Sequence, residues 1–395
     1  MSKQGWTYKK LGEVVRFMAD GDWIESKDQS KNGIRLIQTG NIGNGIFKLK
    51  EDKAHFITEE TMSRLGCTEI FEGDCLVSRL PEPVGRACII PSTGHRMITA
   101  VDCSIIRFKN EYLSRFFIYY TQCSKYLNCV NDYITGTTRK RISRKNLEKI
   151  PIPVPPLEEQ ERIVERLDAA FAKIDELKAN AEQELADARA LFNASLNEAM
   201  QPKKGWEKKP ICEIFKTYSG GTPIKSNKSY YENGNIPWIR SGEVCKRFIT
   251  ECELFITEDG LKNSSAKFYP IDTVLVAMYG ATAAQVGILK FPATSNQAVC
   301  GILPNNNFLP DFVYFWFKHI EKQLASQAQG GAQPNISQEK IKKVLIPFIP
   351  IAEQEAIVER LDKLSAQVRE MEEIHKQTIA ECDALKQALL RETFE

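Results

Sequence analysis

Two polar loops hold the side chains best suited to chemistry in this sequence of 395 residues. Residues 135–141 read Thr-Gly-Thr-Thr-Arg-Lys-Arg, and residues 330–335 read Gly-Gly-Ala-Gln-Pro-Asn. Arginine and lysine suit guanine edges and phosphates, whereas glutamine and asparagine suit adenine edges. Glycine lets a backbone approach a ligand closely. Taken alone, either loop is equally consistent with a solvated turn that carries polar tips.

The motifs of enzymes that act on nucleic acid are missing from the sequence. An adenine methyltransferase needs an Asn/Asp-Pro-Pro-Tyr/Phe motif. The nearest match, Val-Pro-Pro-Leu at 154–157, lacks the polar group that accepts the amine proton and the aromatic ring that stacks on the base. No G-x-x-x-x-G-K-S/T loop occurs, and the four histidines share no metal-ligand spacing. These absences argue against the enzymes that need such motifs, and the sequence predicts no cofactor or metal site in this chain.

Cysteine usage and hydropathy indicate the compartment. The eleven cysteines include no C-x-x-C pair, which is typical of a reduced protein without disulfides or zinc fingers. The apolar runs are too short to span a bilayer, and the N-terminus has no apolar stretch of a signal peptide. We therefore expect a cytoplasmic protein without a membrane partner.

An internal repeat organises the sequence. Residues 159–168 and 353–362 are identical at nine of ten positions and lie 194 residues apart. Residues 37–40 resemble residues 239–242 at an offset of 202. The strong matches flank each globular part, whose interior matches only faintly. This pattern predicts two domains that share a scaffold and carry different heads.

Each repeat ends in a segment that predicts a long helix. Residues 157–200 contain neither glycine nor proline, and this segment and residues 351–395 carry apolar residues every three or four positions. The predicted seam consists of Val164, Leu167, Phe171, Ile174, Ala181, Leu185, Ala188 and Phe192 in the first helix, and of Leu361, Leu364, Val368, Met371, Ile374, Cys382, Leu385 and Leu389 in the second. Lys178 interrupts the first seam, and His375 and Thr378 lie near the second.

A helix with such a stripe needs a partner helix. The simplest arrangement is an antiparallel coiled coil within the chain, with the globular parts at opposite ends of a rod. Roughly 40 residues at about 1.5 Å each make that rod about 60 Å long. The alternative is that each helix packs on its own domain or on a second chain.

The net charge of +2 conceals a partition along the chain. Residues 1–156 hold 24 basic and 17 acidic side chains, and residues 201–350 hold 18 and 12. Residues 157–200 hold 5 basic and 11 acidic side chains, and residues 351–395 hold 6 and 11. Basic globular surfaces suit a polyanion, whereas acidic helices suit protein partners better than phosphate.

Both globular parts predict a mixed α+β fold. Strand-like runs such as 33–38 and 236–240 are rich in aliphatic and aromatic residues and are bounded by glycine, proline and asparagine. A helical segment follows in each part, at 113–127 and 311–325. The expected organisation is pseudo-two-fold symmetric, with globular α/β domains at 1–156 and 201–350 and helices at 157–200 and 351–395.

The junctions before the two helices resemble those of type I restriction–modification specificity subunits. Residues 150–160 read Ile-Pro-Ile-Pro-Val-Pro-Pro-Leu-Glu-Glu-Gln, and residues 346–354 read Ile-Pro-Phe-Ile-Pro-Ile-Ala-Glu-Gln, with Ile351 in place of the second proline. Residues 73–78 and 239–244 are also similar to segments of that family. The resemblance covers the whole chain twice, and the duplicated junction is its most specific part.

The resemblance implies two target-recognition domains, each of which reads one half of a split double-stranded DNA sequence. It implies that the two helices space these domains and dock two modification subunits, which bind S-adenosylmethionine and methylate adenine N6. Restriction subunits would join them to translocate and cleave DNA. The chain itself would then be a specificity subunit without catalytic residues.

Specific side chains would read the DNA on this interpretation. The half-sites are expected roughly 34 Å apart on one face of the duplex, and the divergence of the heads predicts two different half-sites. A few base contacts would supply about 1–3 kcal/mol of discrimination each. The candidates are Gln38, Arg79, Arg139, Lys140 and Arg141 in the first head, and Arg240, Tyr279, Gln333 and Asn335 in the second.

Three other interpretations stay open at this stage. The chain would be a coiled-coil scaffold if it had no affinity for duplex DNA in the presence of a modification partner. It would be an enzyme, such as a fused nuclease–methyltransferase fragment, if it transferred methyl groups alone. A specificity protein of a related defence system with a different effector would share every feature described above.

The length of the helices generates a first testable prediction. Deleting one heptad from each helix is expected to shorten the unread spacer between the half-sites, because the rod length sets that spacer. Mapping of methylated sites in cells that contain the partner subunits measures it. Both half-sites should stay unchanged, and an altered half-site across an unchanged spacer would contradict the idea.

Overall fold

The computed structural model describes residues 6–327 and 335–395. The chain divides into two compact units, of which the first comprises Met1–Glu182 with Lys376–Glu395 and the second Gln183–His375. Each unit therefore combines one globular part with portions of both long helices. Helices and sheets are mixed in each unit, which confirms the predicted α+β class. Within the described ranges, no helix is both long and apolar enough to cross a membrane.

The first unit contains two small sheets, ordered β2-β9-β6-β7 and β4-β3-β8-β5, and an antiparallel pair of β1 with β10. Its strands are β1 (Thr7–Lys10), β2 (Val15–Asp20), β3 (Ile34–Ile37), β4 (His55–Ile57), β5 (Glu69–Ile70), β6 (Cys75–Ser78), β7 (Ala87–Ile89), β8 (Met97–Thr99), β9 (Cys103–Phe108) and β10 (Pro151–Val154). Its helices are α1 (Leu11–Val14), α2 (Glu59–Leu65), α3 (Ser114–Tyr120), α4 (Ser124–Asn131), α5 (Arg144–Leu147) and the start of α6 (Leu157–Met200).

Strand β6 lies at the centre of the first unit and is buried on both faces. Cys75 and Val77 face a core that includes Phe116 of α3, whereas Leu76 faces a second core on the opposite side of the sheet. This alternation follows from the two-residue period of a strand. A strand with apolar partners on both faces has an uninterrupted apolar sequence, as β6 does.

The second unit has a related topology, with one sheet of five strands and one of three, ordered β12-β19-β16-β17-β14 and β15-β13-β18, and an antiparallel pair of β11 with β20. Its strands are β11 (Glu207–Pro210), β12 (Thr217–Ser219), β13 (Ile236–Ile239), β14 (Phe248–Ile249), β15 (Phe255–Ile256), β16 (Val274–Ala277), β17 (Val286–Leu289), β18 (Thr294–Ser295), β19 (Val299–Ile302) and β20 (Leu345–Phe348). Its helices are α7 (Ile211–Ile214), α8 (Glu258–Lys262), α9 (Pro310–Ser326), α10 (Gln338–Lys342) and the start of α11 (Ile351–Phe394).

The strand pairings show that the two globular parts are one fold. Strands β3 and β8 run parallel in the first unit, and β13 and β18 run parallel in the second. Strand β6 lies between β9 and β7, as β16 lies between β19 and β17. The repeat therefore extends through the interior, where the sequences match only faintly.

A buried glutamine fastens each long helix to its globular part. The side-chain oxygen of Gln160 accepts a hydrogen bond from Leu113 N at 2.9 Å, and its amide donates to Glu111 O at 3.0 Å and Pro155 O at 2.9 Å. Gln354 makes an equivalent set of three bonds at 2.8–2.9 Å in the second unit. The glutamine of the repeated junction thus satisfies three backbone groups, one of them in a buried and two in a partly buried hydrogen bond.

The two long helices run antiparallel within each unit. In the first unit, Lys178 Nζ lies 2.8 Å from the Asp383 carboxylate, and Arg166 lies 3.6 Å from Glu392. As residue numbers increase along one helix, they decrease along the other. The polar residue that interrupts the predicted seam therefore forms an ion pair with the partner helix.

The second unit repeats these interhelical ion pairs. Arg360 lies 2.8 Å from Glu198, and both residues lie 194 positions from a member of the Arg166 pair. Arg189 lies 2.7 Å from Glu372, at the positions equivalent to Asp383 and Lys178. The charges of this second pair are reversed between the units, so complementarity is kept while the residue types change.

The buried seam of the second helix differs from the predicted one. Ile374 is 54% exposed and Leu385 is 49% exposed, although both were assigned to the seam. Leu361, His375 and Cys382 are buried at spacings of seven or fourteen residues, and of these only His375 lies outside the predicted seam. A strict heptad is the repeat of a left-handed coiled coil, and it includes a histidine that an apolar count excludes.

The buried amide generates a prediction for stability. Gln354→Ala is expected to destabilise the protein by about 2–3 kcal/mol, because three backbone groups in buried or partly buried hydrogen bonds lose their partner. Equilibrium denaturation measures the change. The matched control is Gln377→Ala, since Gln377 is exposed on the same helix and bonds only to Glu381 in the described contacts, and it should change stability by less than about 0.5 kcal/mol. Equal effects of the two substitutions would contradict the anchoring role.

Candidate nucleic-acid interface

The polar loop of the first unit is a tight hairpin. Thr135 and Arg141 exchange two backbone hydrogen bonds, at 2.8 and 2.9 Å. Gly136 has a φ of +96°, and a Cβ at this position would lie 2.4 Å from the carbonyl oxygen of Arg139. The turn therefore requires glycine, and it holds Arg139 and Lys140 at an exposed tip.

One carboxylate holds two arginines of this hairpin. Asp102 Oδ2 lies 3.2 Å from Arg139 Nη2, and Asp102 Oδ1 lies 3.6 Å from Arg141 Nε. The Asp102 side chain is 17% exposed, whereas those of Arg139 and Arg141 are 70% and 45% exposed. The two guanidinium groups are thus held on their inner side by one largely buried carboxylate, and their outer sides remain accessible to solvent.

Arg79 lies beneath this surface rather than on it. Its residue is 2% exposed, its Nη2 donates to the carbonyl of Val101, and its Nε lies 3.5 Å from Asp20. Burial lowers the pKa of Arg79, and the nearby Asp20 partly offsets that effect. The predicted base contact is therefore replaced by a structural one, since Arg79 supports the turn that carries Asp102.

A second buried arginine, Arg86, positions the turn that follows Gln38. Its guanidinium donates to Thr39 O at 2.8 Å, Ile42 O at 2.7 Å and Leu80 O at 2.7 Å. Gln38 itself is half-buried and begins this turn. Arg86 thus connects the turn after β3 to the turn after β6. A single arginine between glycine and an apolar strand was a signal for such a role, and the sequence-based interpretation missed it.

Three segments meet at one edge of the first unit. Ala100 N donates to Ile37 O at 2.9 Å beside Gln38, and Arg79 N donates to Asp102 O at 2.9 Å. The turn between β8 and β9 therefore connects the end of β3 to the end of β6. Of the five candidates in the first head, four remain partly or fully accessible at this edge.

The second unit forms the same edge from different side chains. Tyr279 and Asn335 pair as an isolated antiparallel bridge, and Tyr279 is 37% exposed. Asn296 N donates to Ile239 O at 2.9 Å, directly before Arg240. The exposed Arg240 is engaged by Glu243 and Glu253. The remaining candidate, Gln333, lies outside the described residues.

The chemistry available at these edges is charge and hydrogen bonding. Among the described residues, no group of three histidine, cysteine or carboxylate side chains is arranged to hold a metal ion. The first edge presents guanidinium donors, and the second presents a phenol, an amide and one ion-paired guanidinium. Such groups bind polyanions and base edges.

Comparison with known proteins identifies the family. The type I restriction modification DNA specificity domain matches the chain twice, over residues 3–186 and 203–381. The chain is 30% identical over 285 residues to the EcoR124I/EcoR124II type I restriction enzyme specificity subunit of Escherichia coli, which covers 69% of this chain and 67% of the relative. The chain therefore belongs to the type I restriction–modification DNA specificity family, and it carries two copies of the family domain.

Other relatives share the whole length of the chain. The EcoKI specificity subunit of Escherichia coli K12 is 22% identical over 439 residues, covering 99% of this chain and 89% of the relative. A chain from a structural study of complex assembly in a type I R-M system aligns with a TM-score of 0.79 at 19% identity, covering 100% and 98% of the two chains. The HsdS subunit of Thermoanaerobacter tengcongensis aligns with a TM-score of 0.56 at 19% identity, covering 99% and 97%. These structures share the fold.

The hairpin generates a prediction about its own conformation. Gly136→Ala is expected to open the hairpin, because the new Cβ combines a left-handed backbone with a clash against a carbonyl oxygen. Trypsin should then cleave the native protein several-fold faster after Arg139 to Arg141.

The matched control for this prediction is Gly94→Ala. Gly94 also has a positive φ, of +70°, but a Cβ there meets nothing within 4 Å. This variant should leave the cleavage rate at 139–141 unchanged. If both variants accelerate that cleavage equally, general destabilisation of the protein explains the effect and the close contact at Gly136 has no role.

Proposed function

We propose that the chain is the DNA sequence-recognition subunit of a type I restriction–modification complex. Each globular part reads one half of a split, asymmetric target. The observation that carries this proposal is the duplicated edge, which has one backbone arrangement and two different sets of side chains. Recognition of two different half-sites requires different side chains at the DNA, and a shared backbone can present both sets. The specificity subunits among the relatives support the same function.

We propose that catalysis resides in partner subunits. The chain lacks methyltransferase and NTPase sequence motifs, so two modification subunits would bind S-adenosylmethionine and methylate adenine, and restriction subunits would translocate and cleave. The candidate residues Gln38, Arg139, Lys140, Arg141, Arg240, Tyr279, Gln333 and Asn335 would face the duplex. Arg79 would support the turn beneath them.

The long helices are the proposed docking and spacing element. In the second unit, α6 and α11 line a groove of about 740 Å³ with the apolar residues Leu191, Val368 and Met371 and the acidic residues Glu184 and Asp187. Leu191 is 59% exposed. A lining that combines exposed apolar and acidic side chains suits a protein partner better than DNA. The length of the helix pair would set the number of unread base pairs.

The proposed function is tested by exchanging the globular parts. The chain is produced with its modification subunits in a host free of other adenine methylation, and N6-methyladenine is mapped across the genome. We expect a bipartite motif, of which exchange of residues 1–156 for those of a relative changes one half and exchange of residues 201–350 changes the other.

Two results would oppose this proposal. Methylation that does not depend on the chain would place recognition elsewhere. An exchange that alters both halves together would show that the globular parts do not read independently. As a control, Arg96→Lys, at the end of β8 that is opposite the edge, should leave the motif intact.

A further inference from the structure

Backbone hydrogen bonds establish which residues occupy equivalent places at the two edges. In the first unit, Arg79 N donates to Asp102 O at 2.9 Å. Ile142 N, directly after the polar loop, donates to Arg79 O at 3.2 Å. In the second unit, Met278 N donates to Ala298 O at 2.8 Å. Ile336 N, directly after the polar loop, donates to Met278 O at 2.8 Å. Met278 therefore replaces the buried arginine, and Ala298 replaces the aspartate that holds the exposed arginines.

The neighbouring pair is replaced in the same manner. Asp20 and Ser219 occupy equivalent places at the ends of β2 and β12, and Arg144 and Gln338 begin α5 and α10. Arg144 Nε lies 3.6 Å from Asp20 Oδ2 in the first unit. In the second unit, Ser219 Oγ donates to Gln338 Oε1 at 2.8 Å. An ion pair in one unit is thus a neutral hydrogen bond in the other.

The two edges consequently differ in electrostatic character. The first contains four arginines around two aspartates, and these are Arg79, Arg139, Arg141 and Arg144 with Asp20 and Asp102. In the second, the equivalent interior positions are neutral, and the described loop contact joins Tyr279 to Asn335. Both groups can donate and accept hydrogen bonds.

We propose that the first globular part reads a guanine in its half-site through Arg139 and Arg141, with Asp102 as the positioning residue. This inference rests on the proposed function and assigns a class of base to the first globular part. Arginine contacts guanine O6 and N7 with two parallel donors, and such a contact requires a fixed orientation of the guanidinium plane.

The position of Asp102 favours a base contact over a phosphate contact. A phosphate is recognised mainly by charge, and an aspartate beside the arginines reduces their attraction for it. A base edge instead requires donors in a fixed direction, and a carboxylate that binds one side of a guanidinium fixes the opposite side. The carboxylate therefore lowers non-specific affinity while it improves geometry.

The test uses the complex of this chain with its modification subunits and the methylated motif as the reference duplex. Binding is measured for the reference duplex and for duplexes in which each base pair of either half-site is replaced. Arg139→Lys and Arg141→Lys keep the charge but remove the two-donor fork. At least one of them should lose about tenfold in affinity for the reference duplex and should stop distinguishing G·C from A·T at one position of the first half-site.

Asp102→Asn tests the positioning role. It keeps the shape of the side chain and removes its charge, so discrimination at that G·C pair should fall several-fold while affinity for unrelated duplexes rises. Discrimination within the second half-site should not change in any of these variants. Arg96→Lys is the matched control, because Arg96 precedes β8 at the end opposite the edge and pairs with Glu59 and Glu69, and this variant should bind as the unaltered complex does.

The outcomes separate this inference from the proposed function. If the arginine variants bind all duplexes more weakly by the same factor and still discriminate between base pairs, the arginines contact phosphates and the inference is overturned. A first half-site without any required G·C pair would also overturn it. The proposed function fails separately, if the unaltered complex binds the reference duplex no better than a scrambled one.

Discussion

The buried amide at the start of each long helix is the contact on which the architecture depends. Gln160 and Gln354 are fully buried, and each satisfies three backbone groups where strand, loop and helix meet. Loss of such a contact leaves polar groups in an apolar environment, where each unsatisfied group costs about 1–3 kcal/mol. The orientation of each helix relative to its own globular part therefore follows from a glutamine that cannot be replaced by an apolar residue of similar size.

The helices were predictable from the sequence because their signal is local and repeated. Their bounds in the structure, Leu157–Met200 and Ile351–Phe394, follow from proline before the start and the absence of glycine and proline within. The seam was less predictable, because an apolar count selects Ile374 over His375, whereas burial depends on a seven-residue period. The sheets were the least predictable. Their strands are two to six residues long, and the pairing partners lie far apart in the sequence.

The residues of the candidate edges were also predictable only in part. Exposed arginines in a glycine-containing hairpin were found from residue type alone, since such loops lie at the surface. Burial of Arg79 was not predictable, because a sequence does not distinguish an arginine that faces solvent from one that donates to carbonyl oxygens inside a turn. The position of Arg86 between a glycine and an apolar strand was a signal, but its contacts are visible only in the structure. Arg86 supports the turn after Gln38, and Arg79 supports the turn that carries Asp102.

The faint similarity of the two interiors has a physical explanation in these contacts. Loss of Asp102 alone leaves the arginines beside it without their carboxylate, and a buried arginine such as Arg79 that loses its partners carries a larger penalty. Changes at this edge are therefore favoured as sets, as the replacement of Asp20 and Arg144 by Ser219 and Gln338 illustrates. The backbone bonds that define the edge involve no side chain and persist through such exchanges. Divergence of sequence and conservation of fold are thus consequences of one arrangement, in which the backbone forms the frame and coupled side chains supply the recognition.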